Sequence, residues 1–246
     1  MDLLADLGNT RAHLALRDGP RLVAAWDVPH GDASEAGWAA GLTGHPAPRR
    51  AALLHVRPAM RDRWLAWTRA QGLTARVLRE DLPLPLPLEV TRPEQVGADR
   101  LASALWAARA FPGRPVLVFD LGTALTCSAV SAQGTFRGGA IAPGLSTGAW
   151  ALAERTARLP RVTPVGGPPP LAGDTAGCIQ SGLFWGAVGL IEALVARSAT
   201  LLGGTPRVVL TGGDAALVAP HCRAIDEVEP HTTLRGLALA LDEAQP

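Results

Sequence analysis

Two short segments carry the residues best suited to chemistry: Asp6-Leu7-Gly8-Asn9-Thr10 and Asp120-Leu121-Gly122-Thr123-Ala124. Each places a carboxylate at the end of an apolar run and follows it with glycine and a hydroxyl residue. Glycine lets backbone N–H groups approach phosphate oxygens, because no Cβ intervenes. Asn9 and Thr10 add neutral donors, and Asp6 is placed to hold Mg2+, usually through water. Either turn alone reads equally well as an ordinary hairpin. Two matching copies, each with an acid at a strand end, favour phosphate binding.

Two further segments each have two readings. Thr211-Gly212-Gly213-Asp214 follows the apolar run Arg207-Val208-Val209-Leu210 and opens a helix. It is either a site where a flat or anionic ligand meets a helix N-terminus, or a plain strand-to-helix turn capped by Asp214. In Gly97-Ala98-Asp99-Arg100, Asp99 is either a helix N-cap with Arg100 solvated beyond it, or a base taking a hydroxyl proton while Arg100 fixes an anionic group.

Composition narrows the chemistry. The chain has 246 residues, a formal net charge of +1, and no lysine, so all 23 of its Lys+Arg residues are arginine. Schiff-base chemistry, a pyridoxal anchor and a P-loop lysine are therefore excluded. Charge on a transferred phosphoryl group must be met by metal, backbone N–H and arginine. The near-neutral balance gives no basic field, so nucleic acid is not expected as a partner. Cys127, Cys178 and Cys222 form no CxxC and are odd in number. Structural zinc and a disulfide framework are not expected. His13, His45, His55, His221 and His231 lack ligand spacing, and none is assigned to a metal. The N-terminus lacks a basic leader, and the apolar stretch from Gly182 to Ala196 contains Glu192 and is too short to span a bilayer. A cytoplasmic protein with no membrane partner is the expectation.

The elements that must position these residues are legible in part. Leu3-Leu4-Ala5 enters the first turn and Ala12 to Leu16 leaves it; Val116 to Phe119 enters the second and Thr126 to Val130 leaves it. Both are strand, glycine turn, strand, which reads as an internal duplication with halves 1–112 and 113–246. Arg61 to Gln71 and Ala98 to Ala110 have helical spacing, the latter with Leu101, Ala104, Leu105 and Ala108 on one face. Leu82 to Leu88 alternates with proline and must be extended, as a connector or an edge segment. Ile179 to Leu202 is a long helix stopped by Gly203-Gly204. Strands alternating with helices predict an α/β fold. The tryptophans are expected in the core or at interfaces, with Trp150 the one placed nearest a ligand.

Taken in order, Asp-x-Gly-Asn-Thr, Gly-x-Asp-Arg, Asp-x-Gly-Thr-Ala and Thr-Gly-Gly closely resemble type III pantothenate kinase, a family of the actin-like, hexokinase-like ATPase superfamily. Gly138 to Gly144, Thr156 to Pro160, Asp174-Thr175 and Gln180-Ser181-Gly182 extend the resemblance from Met1 to the final helix. It implies a duplicated RNase H-like (actin-like ATPase) fold: two lobes with mixed sheets flanked by helices, and ATP in the cleft between them. It also implies ATP-dependent phosphorylation of the pantothenate 4′-hydroxyl, the first step of coenzyme A biosynthesis.

Carried over by residue, the resemblance implies that Asp6, Leu7, Gly8, Asn9, Thr10, Arg11, Ala12 and His13 form the first phosphate segment. Thr123 would contact ATP beside Gly212 and Gly213, Asp99 would accept the proton, and Gly97, Ala98 and Arg100 would surround pantothenate. Asp120 would bind a monovalent cation, K+ or NH4+. Thr175 would reach pantothenate from the partner subunit of a homodimer. Where the family usually has tyrosine, seven residues before Gly97, this chain has Val90. Losing the phenol hydrogen bond costs about 1 kcal/mol, which weakens affinity more than turnover. Two competing readings are a non-catalytic regulatory homologue and a kinase of the same fold acting on another hydroxyl substrate.

Overall fold

The computed structural model describes residues 1–32 and 34–244. The first elements in chain order are β1 (Asp2–Leu7), β2 (Arg11–Asp18), β3 (Arg21–Pro29), α1 (Glu35–Ala39), β4 (Arg50–His55), α2 (Pro58–Ala70), β5 (Ala75–Val77) and α3 (Ala98–Ala110). There follow β6 (Val116–Leu121), β7 (Ala124–Val130), β8 (Phe136–Pro143), α4 (Leu145–Arg155), α5 (Thr175–Leu201), β9 (Arg207–Thr211), α6 (Ala215–Val218), β10 (Glu227–Val228) and α7 (Thr232–Glu243).

Two compact units result. One contains Met1–Leu86, Thr91–Trp106 and the chain from Thr232; the other contains Pro87–Val90 and Ala107–His231. These packing units differ in kind from the motif-based halves 1–112 and 113–246, because α7 packs with the first unit.

The first unit is built on a sheet of order β3-β2-β1-β4-β5. β1 is antiparallel to β2 and parallel to β4. Being central and covered on both faces, β1 is buried at every residue, as its nearly continuous apolar sequence requires. One face packs Leu3, Leu7, Leu14, Leu16 and Leu53 against Trp38, Met60, Trp64 and Trp67. Trp38 and Trp67 meet with ring centroids 5.6 Å apart. Helix α2 starts three residues before the apolar periodicity does, since Pro58 sits in the first turn, where a missing N–H is harmless.

α7 lies against β1, β2 and β4. Its Gly236 packs so tightly on the Ala102 carbonyl of α3 that a Cβ there would overlap it. Ser103 shares hydrogen bonds with the hydroxyls of Thr232 and Thr233 at 3.0 and 3.1 Å. At the other end of α7, an ionic network binds helix to sheet. Asp2 accepts from Arg17 Nε at 3.0 Å and from Arg50 Nε at 2.7 Å, while Asp242 accepts two bonds of 2.6 Å from Arg17.

The second unit repeats the design. Its sheet order is β10-β9-β6-β7-β8, which read from the other edge is the same topology: an antiparallel three-strand meander whose first strand is extended by two successive parallel strands. The duplication inferred from the paired turns is therefore present in the topology. Phe119, Leu125 and Leu210 pack against Phe184, Val188 and Ile191 of α5. That helix has 27 residues, longer than its apolar periodicity suggested, because Asp174 caps it by accepting from Gly177 N. By length and composition alone it would suffice to cross a membrane, but one of its faces forms the core just described. The proline-rich segment ends on the exposed edge of β8: Phe136 N donates to Pro87 O and Glu89 N to Phe136 O, both at 2.9 Å. An edge accepts proline because its outward side requires no N–H.

Candidate active site

Asp6 is the penultimate residue of β1, only 8% exposed. It stands opposite His13 on β2, which in turn stands opposite Asp27 on β3. Directly paired residues share a sheet face, so the three lie abreast. Asp27 Oδ1 is 2.7 Å from His13 Nδ1, and Asp27 Oδ2 accepts from Arg11 Nη1 at 3.3 Å. Asp27 thus fixes both basic side chains of the segment from Asp6 to His13. Leu7 and Ala12 are buried in the core, so what they can offer a nucleotide is backbone alone.

The turn itself is held in a specific way. Gly8 has no left-handed backbone, so conformational freedom is not why glycine is there. All three carbonyls of residues 8–10 receive donors from elsewhere. His30 Nε2 lies 2.8 Å from Gly8 O, Arg57 Nη1 donates to Asn9 O at 3.2 Å, and His30 N donates to Thr10 O at 3.1 Å. A carbonyl can only accept, so Nε2 carries the proton. An anion site must offer N–H groups and keep carbonyl lone pairs away, and this capping engages those lone pairs. Sequence reasoning missed His30. It lies 22 residues from Gly8, and no local pattern marks it.

In Gly97 to Arg100, α3 begins at Ala98, and Leu101 N donates to Gly97 O at 3.2 Å. Asp99 is therefore inside the first turn, which corrects the reading of it as an N-cap. Its Oδ1 accepts from Arg100 N at 2.8 Å and folds back over Gly97, where any Cβ would collide with it. Gly97 is required for Asp99 to sit as it does. A carboxylate in the first turn also gains from the helix dipole.

In the second unit, Asp120 on β6 stands beside Thr211 on β9, so the second Asp-Leu-Gly turn and Thr-Gly-Gly leave adjacent strand ends. Gly212 has φ 97°, and a Cβ there would overlap Asp120 Oδ1 and the Leu121 carbonyl. Asp214 N donates to Leu121 O at 3.0 Å, and Thr123 O accepts from Gly144 N at 3.1 Å and Thr147 Oγ1 at 2.6 Å. Here the helix reading needs correction. α6 has four residues, and Asp214, though at the cap position, makes no side-chain capping bond. One turn carries little dipole, so the value of Gly212 and Gly213 lies in their close approach to Asp120. Burial pushes the Asp214 carboxyl up from its ordinary value.

Val90 belongs to the second unit and packs near Gly138, with Glu89 paired to Arg137 at 2.8 Å. Thr175 opens α5 on an apolar cavity of about 460 Å3 with Leu152, Leu159, Ile179 and Leu183. An adjoining cavity of about 490 Å3 between α4 and α5 reaches Gly144. These apolar cavities do not suit a triphosphate. Trp150 of α4 is 49% exposed.

Two five-stranded sheets of identical topology, each presenting an Asp-Leu-Gly turn at its first hairpin, define the fold of the actin-like ATPases and sugar kinases. A Baf family transcriptional activator from Campylobacter jejuni has this fold (TM-score 0.61, 16% identity, 98% of this chain and 97% of that one). So does a ROK family glucokinase from Streptomyces griseus in complex with glucose and AMPPNP (TM-score 0.52, 14% identity, 98% and 99%). The family model for type III pantothenate kinase matches residues 2–197. Curated type III pantothenate kinases from Acidiphilium cryptum and Dehalococcoides mccartyi are 36% and 35% identical, covering 97% and 95% of this chain and 93% and 94% of their own lengths. The chain belongs to the type III pantothenate kinase family.

The capped first turn leads to a prediction. His30→Phe removes the donor to Gly8 O and should weaken nucleotide binding about fivefold, the equivalent of one neutral hydrogen bond near 1 kcal/mol. His30→Gln, which keeps a donor, should recover part of the loss. Calorimetric titration with a non-hydrolysable ATP analogue measures both; equal affinity in His30→Phe and wild type would remove His30 from this role.

Proposed function

We infer that the protein transfers the γ-phosphoryl group of ATP to the 4′-hydroxyl of pantothenate, giving 4′-phosphopantothenate for coenzyme A biosynthesis. The observation that carries this is the near full-length match to type III pantothenate kinases, joined to a first-turn Asp99 whose geometry depends on Gly97.

Within this reading, Asp99 accepts the hydroxyl proton, and Arg100, with Gly97 and Ala98, holds pantothenate. Val90 supplies packing where the family's tyrosine would donate a hydrogen bond. Thr175 acts across a homodimer, which the apolar surroundings of α4 and α5 support. Asp6 to His13, with Thr123, Gly212 and Gly213, take the nucleotide. A divalent ion arrives with ATP. Among the described residues no group of three or more His, Cys, Asp or Glu could cage a metal, and this fits Mg2+, which retains waters and uses one or two carboxylates plus substrate phosphates. When bound, it neutralises charge on the phosphates. Asp120 Oδ1 and the Leu121 carbonyl converge beside Gly212, a pair of hard oxygen donors suited to K+ or NH4+. The enzyme works in the cytoplasm.

The test is direct. Purified protein incubated with Mg·ATP and pantothenate should form phosphopantothenate and ADP, detected by mass spectrometry, with higher rates when K+ or NH4+ replaces Na+. Asp120→Ala should abolish that cation response. Absence of product under every cation, with ATP still bound, would support the regulatory reading instead.

A further inference from the structure

Arg79 is the one non-glycine residue among those described with a left-handed backbone, at φ 68°. That conformation crowds Cβ against the following carbonyl, and it persists only where surrounding contacts over-determine it. Arg79 has such contacts. Its N–H donates to Leu82 O at 2.8 Å, and Leu82 is fully buried. Its guanidinium donates from Nη1 to Val96 O at 2.6 Å and from Nη2 to Pro93 O at 2.9 Å.

The place of those carbonyls matters. Pro93–Gln95 is a single 3-10 turn, and Val96 directly precedes Gly97. One planar fork therefore spans both ends of the turn that delivers the chain into α3 at Ala98. Only arginine can do this, since lysine offers a point charge instead of two divergent N–H groups. The left-handed backbone at residue 79 aims the fork, and Asp99 follows Val96 by three residues.

We propose that Arg79 is a positioning residue for Asp99: it fixes the segment Pro93 to Gly97 and so sets where the first turn of α3 presents its carboxylate. The proposal rests on Asp99 being the proton acceptor. It assigns the strain at Arg79 a purpose that no sequence motif signals.

The test combines turnover with a readout independent of it. Arg79→Gly removes the fork and accepts φ 68° without strain, so its melting temperature should stay near that of wild type. Turnover at saturating ATP and pantothenate should fall on the order of tenfold, as expected for a misplaced reacting group, with KM for ATP unchanged. Arg79→Lys should recover part of the loss. In an Asp99→Asn background, Arg79→Gly should cause no further loss, because the group it positions is already gone. Backbone hydrogen exchange across residues 92–101 should rise in Arg79→Gly and nowhere else. Unchanged exchange, or an equal fractional loss with and without Asp99, overturns the proposal. If wild type makes no phosphopantothenate, the assigned activity fails, while the exchange measurement still decides whether Arg79 holds this segment.

Discussion

Asp99→Asn is expected to fold normally and to lose roughly 10²- to 10⁴-fold in turnover, the range for removing a general base. Asparagine keeps the size of the side chain and an oxygen able to accept from Arg100 N, which Asp99 does at 2.8 Å. It cannot take a proton. The substitution also removes a negative charge from the first turn of α3, at a cost of about 0.3–1 kcal/mol, too little to unfold the unit. KM for ATP should stay near its wild-type value, because the nucleotide contacts assigned to Asp6–His13 are untouched. Steady-state kinetics with both substrates varied decides the matter. Unaltered turnover would remove Asp99 from the base role, and a large rise in KM for ATP would mean it organises the nucleotide instead.

The second large effect concerns stability. Asp2→Ala should destabilise the protein by about 3–5 kcal/mol, the usual result of removing one partner from a buried ion pair. The Arg17 side chain is only 6% exposed and would retain Asp242 as its remaining acidic partner in this network, while Arg50 would lose both of its short bonds to Asp2. Burial pushes the Asp2 carboxyl up, but hydrogen bonds from Arg50 and Arg17, with their charges, outweigh burial and hold it below its ordinary value. Hydrogen bonds from Arg17, opposed by burial, lower Asp242 as well. A carboxylate whose pKa is lower folded than unfolded contributes stability that is present above the unfolded value, about 3.9. That contribution is lost as pH falls through the folded value. Urea midpoints for wild type and Asp2→Ala should therefore differ widely at pH 7 and converge below about pH 4. A gap independent of pH would mean that packing, not ionisation, is what the mutation removes. The network matters to the site because β1 is anchored by Asp2 at one end and presents Asp6 near the other.

Local chemistry made much of this protein legible. The α3 boundaries agree with the helical spacing from Ala98 to Ala110, because its apolar face is regular and Gly97 and Phe111-Pro112-Gly113 bracket it. The extended segment from Leu82 to Leu88 follows from alternating proline. The two Asp-Leu-Gly turns disclosed the duplication because each sits between strands that announce themselves. By contrast, Ala51-Ala52-Leu53-Leu54 carries no sign that it is the parallel neighbour of β1, since a short apolar run suits a buried strand or a buried helix equally. The first turn of α5 was missed because its apolar periodicity starts at Ile179, while the cap at Asp174 lies before it.

The sequence by itself determined the family and marked the paired Asp-Leu-Gly turns and Asp99 as candidates, because each motif depends on residues within a few positions of one another. Only the tertiary structure decided what holds them. His30 reaches Gly8 from 22 residues away, Arg79 reaches Val96 from 17, and Arg17 reaches Asp242 from 225. Such pairs have no spacing to read, since they become neighbours only after burial of the sheets brings distant segments together. The left-handed backbone at Arg79 is likewise invisible in its residue type, because the surrounding fold, not the arginine, stabilises it.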